Sequence, residues 1–189
     1  MIIFDLDGTL ADCEHRRHFI DPEAEYELTK DDYKNGFNAS YIKDSALTRG
    51  KCGTFKNNEI KNWKPDWKSF HEACIYDSPI QPAIQQWDNQ IGLGMMNEHQ
   101  IWSGRCESVR EQTEKWLQHN LLCFFPCQLK MRPIGDNIPD DQLKEKWLDE
   151  AVAGGKIVEY VFDYRPKVVR MWRRRGIFVF DCNQSGKEF

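Results

Sequence analysis

No stretch of this 189-residue chain approaches the roughly 18 consecutive apolar residues that a membrane-spanning helix needs. Met1-Ile2-Ile3-Phe4 runs straight into Asp5, too early an acid for a signal peptide, so these residues are not expected to act as one. Positive charge is in short supply. The 26 Lys and Arg against 30 Asp and Glu leave a net −4, which excludes a polycation built to coat nucleic acid. There is no internal repeat, which excludes a solenoid. There is also no glycine-rich loop ending in Lys-Ser or Lys-Thr, the phosphate cradle of many nucleotide-binding proteins. The seven cysteines are odd in number and scattered, which argues against a disulfide framework. Cys123 and Cys127 have a metal-like spacing, but no second Cys or His pair stands at zinc-site distance, so buried or idle thiols are expected. Together these absences predict a cytoplasmic globular protein.

What is present suffices for a core: 40% of residues are hydrophobic and 13% aromatic. At about 150 residues per domain the length predicts one domain with a small appended module. The apolar pattern alternates between strand and helix. Ile2-Ile3-Phe4 reads as a short buried strand, His99 to Trp102 as a second, Ile157 to Phe162 as a third and Ile177 to Phe180 as a fourth. Between them, helical stripes run through Ile80, Ile84, Trp87 and Ile91, and through Val109, Thr113, Trp116 and Leu117. A further stripe comprises Leu143, Trp147, Leu148 and Ala151, with Asp140 or Asp141 as the expected N-cap and Gly154-Gly155 as the stop. The last helix spans Pro166 to Arg175 and ends at Gly176. The tryptophans at 87, 102, 116, 147 and 172 sit at core spacings.

This alternation predicts an α/β fold with a mostly parallel sheet and helices on both faces, three layers in all. Such sheets place their chemistry at the carboxyl ends of the strands. Asp5-Leu6-Asp7, Ser103-Gly104-Arg105 and Asp163-Tyr164-Arg165 each fall where a predicted strand ends, so the three should converge on one crevice. Residues 20–78 break the pattern, and long connections of this kind are usually functional. They read as a cap inserted after the first strand, leaving a core of 1–19 and 79–189.

Asp5-Leu6-Asp7-Gly8-Thr9 carries the sharpest chemistry. One carboxylate that stays ionised can attack phosphorus, while another that holds a proton can serve the leaving oxygen. Two residues apart in a turning chain, both face one crevice. Gly8 permits a sharp turn, and Thr9 offers a hydroxyl to phosphate.

The motif resembles that of the haloacid dehalogenase (HAD) superfamily of aspartate-nucleophile phosphotransferases, whose fold is Rossmann-like. The resemblance implies that Asp5 is the nucleophile and Asp7 the acid/base. It also implies that Ser103 in Ile101-Trp102-Ser103-Gly104-Arg105 holds phosphoryl oxygens, that Lys144 neutralises charge, and that Asp163 is the metal-binding acid beside Asp5 and Asp7. Thr9, Arg16, Arg105 and Arg165 become the expected substrate-binding residues. The match is closer to the phosphatase half of phage polynucleotide kinase/phosphatases. It runs through Leu10-Ala11, Met131-Arg132, Gly135-Asp136, Asp140-Asp141, Phe162-Asp163 and Val168-Val169-Arg170-Met171-Trp172-Arg173, with Arg16 or Arg17 at the substrate-binding arginine. It covers about 1–19 and 76–189. The kinase half has no counterpart here, and the acidic pair usual after the last motif strand is Asp163-Tyr164.

Three carboxylates facing a phosphate dianion require a cation, and hard oxygen donors favour Mg²⁺. The resemblance therefore implies a Mg²⁺-dependent phosphomonoesterase working on phosphorylated nucleic-acid ends or nucleotides. Polynucleotide 3′-phosphatase is the leading expectation, with a 5′-(deoxy)mononucleotide phosphatase and a non-catalytic phosphate-binding module as alternatives. A phage member would act in the host cytoplasm. From Lys30 to Lys68, nine Lys/Arg outnumber five Asp/Glu and aromatics are interleaved. That pattern suits single-strand binding, though a small module with its own core is the favoured reading. The basic run from Arg165 to Arg175 is likewise read first as a stabilised helix C-terminus.

Overall fold

The apolar run at the N-terminus becomes β1 (Ile2–Phe4), the middle strand of a five-stranded sheet. The computed structural model describes residues 1–23, 25–27, 54–56, 64–92 and 99–183. After β1 come β2 (Ala11–Asp12), a 3₁₀ helix over Glu14–Phe19, β3 (Glu25–Glu27), β4 (Thr54–Lys56) and α1 (Trp67–Glu72). Next are β5 (Ser78–Pro79), α2 (Gln81–Gly92), β6 (His99–Cys106), α3 (Arg110–Asn120) and β7 (Leu129–Arg132). The chain continues through α4 (Asp140–Ala153), β8 (Tyr160–Asp163), α5 (Pro166–Arg174) and β9 (Phe178–Asp181).

The large sheet has the order β7-β6-β1-β8-β9, and every pairing in it is parallel. Pleating sends successive side chains of β1 to opposite faces. Ile2 and Phe4 enter one core with Ile84 and Trp87 of α2 and Trp116 and Leu117 of α3. Ile3 enters the other with Leu143, Trp147 and Leu148 of α4 and Val168, Val169 and Trp172 of α5. The result is the expected three-layer α/β architecture. Trp87, Trp102 and Trp172 are all enclosed, and truncating any one of them to Ala is expected to cost about 3–5 kcal/mol. Phe4, Phe162 and Phe180 stack across β1, β8 and β9 at 4.5 and 4.6 Å, close to the strand spacing itself.

Several boundaries differ from expectation. β6 continues through Ser103-Gly104-Arg105 to Cys106, with an irregularity in its pairing to β7 between Ser103 and Cys106. β8 begins only at Tyr160, because Ile157 is solvent-exposed and gains nothing from a strand position. β7, whose alternation covers only four residues, is an unanticipated edge strand. Neither Asp140 nor Asp141 is the N-cap of α4. Pro139 takes that position without a side-chain bond, and the carboxylate of Asp140 is drawn to two arginines instead. At the other end of the last helix, Gly176 adopts φ 73° just beyond α5, as its position predicts.

The chain divides into two units, Met1–Cys13 with Cys74–Phe189, and Glu14–Ala73. In the second, β3 and β4 form an antiparallel pair, and Asp66 caps α1 by accepting from the Ser69 amide. Most of the basic, aromatic stretch between Lys30 and Lys68, including Tyr33, Phe37, Tyr41 and Trp63, lies outside the described residues. Among the described residues no helix is long and apolar enough to cross a membrane.

Candidate active site

The site is built where β1, β6 and β8 end. β1 hands over to Asp5, whose amide donates to the Phe162 carbonyl at 2.8 Å and so prolongs the sheet by one residue. The chain then turns tightly: the amides of Thr9, Leu10 and Ala11 all point at the Leu6 carbonyl. Gly8 takes φ +78°, and a Cβ there would collide with the Tyr164 ring, so glycine is required on both counts. Tyr164, which stands where the resemblance expects a second acid, thus packs its ring on the motif turn.

Lys144, one turn into α4, reaches across to this turn. Its ammonium donates to Asp5 Oδ1 at 2.7 Å and to Asp163 Oδ2 at 2.8 Å, all three side chains being buried. Asp163 Oδ2 also accepts from Trp172 Nε1 at 3.0 Å, and its Oδ1 from the Arg165 amide at 3.2 Å. Burial drives the Asp5 carboxyl up to about 7 despite Lys144, with Asp163 adding to the rise. Burial would lower Lys144, but Asp163 and Asp5 hold it above its usual value. Two carboxyl groups thus share one ammonium, and burial leaves Asp5 the one more readily protonated.

Asp7 belongs to a second cluster. Arg105 donates to Asp7 Oδ1 through Nε at 2.9 Å and Nη2 at 2.5 Å, and through Nη2 to Asp77 Oδ2 at 2.5 Å. The three expected metal acids are consequently not gathered: among the described residues no group of three or more His, Cys, Asp or Glu is placed to hold a metal ion. Asp7's carboxylate is turned to Arg105, leaving Asp5 and Asp163 as the paired acids. Such a pair still suits Mg²⁺, which commonly takes one or two carboxylates plus water and phosphate.

The remaining expected residues separate. Ser103 is buried, its Oγ accepting from the Arg105 amide at 3.1 Å. Thr9 is buried within the turn. Arg105, expected as a substrate contact, has an enclosed side chain engaged with carboxylates instead. Arg165 is the most open of the set, its guanidinium on Asp140 Oδ2 while Arg132 takes Oδ1. Asp140 also backs Gly104, where a Cβ would come within 2.8 Å of Oδ1. Arg16 lies in the other unit, donating to the Phe70 carbonyl at 3.1 Å with its guanidinium 4.1 Å over the Phe70 ring. The arginines ending α5 pair with acids: Arg173 with Asp181, Arg174 with Glu145, and Arg175 with Glu145 and Asp149.

Residues 53–186 match the sequence profile of the polynucleotide kinase PNKP phosphatase domain, a HAD family. The chain belongs to that family.

As a HAD phosphatase domain it resembles two solved structures, titled "Structure of the Pnkp1/Rnl/Hen1 RNA repair complex" and "Structure of Pnkp1/Rnl/Hen1 complex". Identities are 23% and 24%, each with a TM-score of 0.59, over 98% and 96% of this chain but only 43% and 45% of those chains. The chain thus spans less than half the length of these structural relatives, and the likeness supports the fold. A comparison with curated proteins gives no match.

Sequence reasoning missed three polar partners of this HAD site. Trp172 reads as a core residue and does pack there, but its indole N–H also needs an acceptor and finds Asp163. Asp77 stands beside no motif, and the acid that spacing offers Arg132 is Asp136, four residues on and 3.5 Å away, so nothing local points to Asp140. Only the fold brings them to Arg105 and Asp140.

Proposed function

We propose that this phosphatase domain is a Mg²⁺-dependent phosphomonoesterase that removes a phosphate from nucleic-acid or nucleotide ends, with the 3′-phosphate of a polynucleotide as its foremost substrate. The observation that carries the reading is Lys144 clamped between Asp5 and Asp163 at the carboxyl ends of β1 and β8. Membership in the polynucleotide kinase phosphatase family supports the substrate class.

In the proposed reaction an Asp5 carboxylate oxygen attacks phosphorus, and the bond to the leaving oxygen breaks. Asp7 passes its proton to that oxygen, freeing the alcohol and leaving an aspartyl-phosphate on Asp5. Asp7, now ionised, takes a proton from water, whose oxygen attacks the same phosphorus and returns the Asp5 carboxylate with release of inorganic phosphate. Lys144 holds Asp5 in place and offsets charge on the phosphoryl oxygens, and Ser103 lies on the neighbouring strand for the same purpose. Asp5 and Asp163 would hold Mg²⁺, which when bound would supply the further positive charge needed to bring a phosphate dianion beside these acids. Thr9 shapes the turn between the two reacting aspartates and the rest of the chain.

One assay tests the proposal. With Mg²⁺, a 3′-phosphorylated oligodeoxynucleotide should release phosphate faster than deoxynucleoside 5′-monophosphates, and EDTA or Asp5→Asn should abolish release. Preference for the mononucleotides would reassign the substrate. Phosphate binding without any turnover would replace the enzyme with a binding module.

A further inference from the structure

We propose that Asp77 is a positioning residue for this reaction, a buried carboxylate that fixes the carboxyl group of Asp7 through Arg105. The inference rests on the phosphatase reading above and adds a residue to it.

Of the three side chains in the chain of contacts, Asp77 and Arg105 are wholly enclosed, while Asp7 keeps 22% of its side chain open. The arrangement therefore has an anchored end and an open end. At the anchored end, the Asp77 backbone is pinned from two sides. Its amide donates to the Cys74 carbonyl at 3.3 Å, and its own carbonyl accepts from Trp116 Nε1 of α3 at 2.6 Å. Its carboxylate then takes one hydrogen of Arg105 Nη2, and the other side of the same nitrogen meets Asp7 Oδ1. Arg105 Nε meets that Asp7 oxygen as well, so two N–H groups of the planar guanidinium converge on one atom. Thr113 Oγ1 stands 3.5 Å from Nη1 and bounds the third corner.

A guanidinium held at two points, one carboxylate on either side of Nη2, is restrained from swinging about the aliphatic bonds of its side chain or sliding along its plane. Asp77 supplies the second of those points. Asp7 by itself, at the open end of a turn, gives Arg105 no reference frame. A buried ion pair of this kind is a poor source of stability compared with well-packed apolar side chains. Its place one contact away from the residue assigned to proton transfer is what gives it a role. General acid catalysis demands that the donor lie within hydrogen-bond reach of the leaving oxygen, so a small error of aim at Asp7 falls on the chemical step.

This predicts a loss that depends on the leaving group. A nucleoside alkoxide needs the Asp7 proton in order to leave, whereas p-nitrophenolate departs without one. Wild type, Asp77→Asn and Asp77→Ala should be compared on a 3′-phosphorylated oligodeoxynucleotide and on p-nitrophenyl phosphate. Hydrolysis of the aspartyl-phosphate also uses Asp7 and is common to both substrates, so the comparison is made on the first step, read by rapid mixing as release of the first product. For Asp77→Ala that step should fall at least ~10-fold on the nucleotide, with KM within about twofold, and by less than about threefold for p-nitrophenol release. Asp77→Asn keeps the size and one acceptor oxygen, so it should fold if the alanine variant does not, and should show the same split to a smaller degree. Arg105→Lys, which retains charge and removes the fork, should reproduce the split. Equal losses on both substrates, or no loss on either, would overturn the role of Asp77 while leaving the phosphatase reading intact. A wild-type protein inert towards both substrates would overturn the phosphatase reading and this inference together.

Discussion

Replacing Asp5 by Asn should stabilise the metal-free protein at alkaline pH although it removes the proposed nucleophile. Asp5 is raised from 3.8 to about 7 because its burial, reinforced by Asp163, outweighs Lys144. A carboxyl whose folded value lies above its unfolded one favours folding in its protonated form. That contribution is complete below the unfolded value and is lost as pH rises through about 7. The difference of roughly three units corresponds to an upper bound of about 4 kcal/mol at pH 8. An amide retains an acceptor for Lys144 but leaves that ammonium with one buried carboxylate, which reduces the expected net gain to ~2 kcal/mol. For a domain of this size that is a rise in Tm of roughly 4–8 °C. The assay is thermal unfolding of wild type and Asp5→Asn in EDTA at pH 8, 6.5 and 5, with the increment shrinking at each step. Adding Mg²⁺ at pH 8 should raise the wild type and leave the variant nearly unmoved. A variant less stable than wild type by the same amount at every pH would refute the reasoning, since Asp5 would then be a net stabilising partner of Lys144.

Three further outcomes follow from contacts at and near the same site. Gly8→Ala must place a Cβ into the Tyr164 ring at a φ of +78°, and should lower stability by about 3 kcal/mol in urea unfolding; adding Tyr164→Ala should recover only the clash. Trp172→Phe keeps the packing but deletes the indole donor to Asp163, and should lower stability by about 2 kcal/mol; a neutral result would make Trp172 a core residue alone. Burial, with Asp163 and Asp5 nearby, pushes the Cys182 thiol up to about 12. At pH 8 iodoacetamide should therefore modify it at least ~10-fold more slowly than the exposed Cys127, as read by peptide mass spectrometry.

The parallel core was legible because each of its ingredients is local. Ile2-Ile3-Phe4 is apolar on both faces, as a central strand must be, and the stripes through Trp116 and Trp147 carry a helical period. The meeting of Asp5, Lys144 and Asp163 was legible through the motifs and the rule that chemistry gathers at strand ends. What escaped is non-local or ambiguous. Asp140 looks like an N-cap because helix-capping chemistry and arginine pairing call for the same residue type, and only Arg132 and Arg165 in space decide between them. Arg105 looks like a phosphate ligand until Asp77, 28 residues earlier, is seen to share it. β7 is too short for alternation to register. The run ending in Arg174 and Arg175 reads as a stabilised helix C-terminus, and its partner acids, Glu145 and Asp149, escape notice because they sit on a different helix.

The three residues of β1 send Ile2 and Phe4 to one core and Ile3 to the other, with Asp5 next in line. A shift of one position along that strand would exchange every side chain between two filled interiors and rotate Asp5 to the wrong side. The aim of the Asp5 carboxylate, the proposed nucleophile, is therefore set by how tightly two opposite interiors grip three apolar neighbours. Lengthening or shortening this segment by a single residue should disarm the enzyme even with every polar group retained.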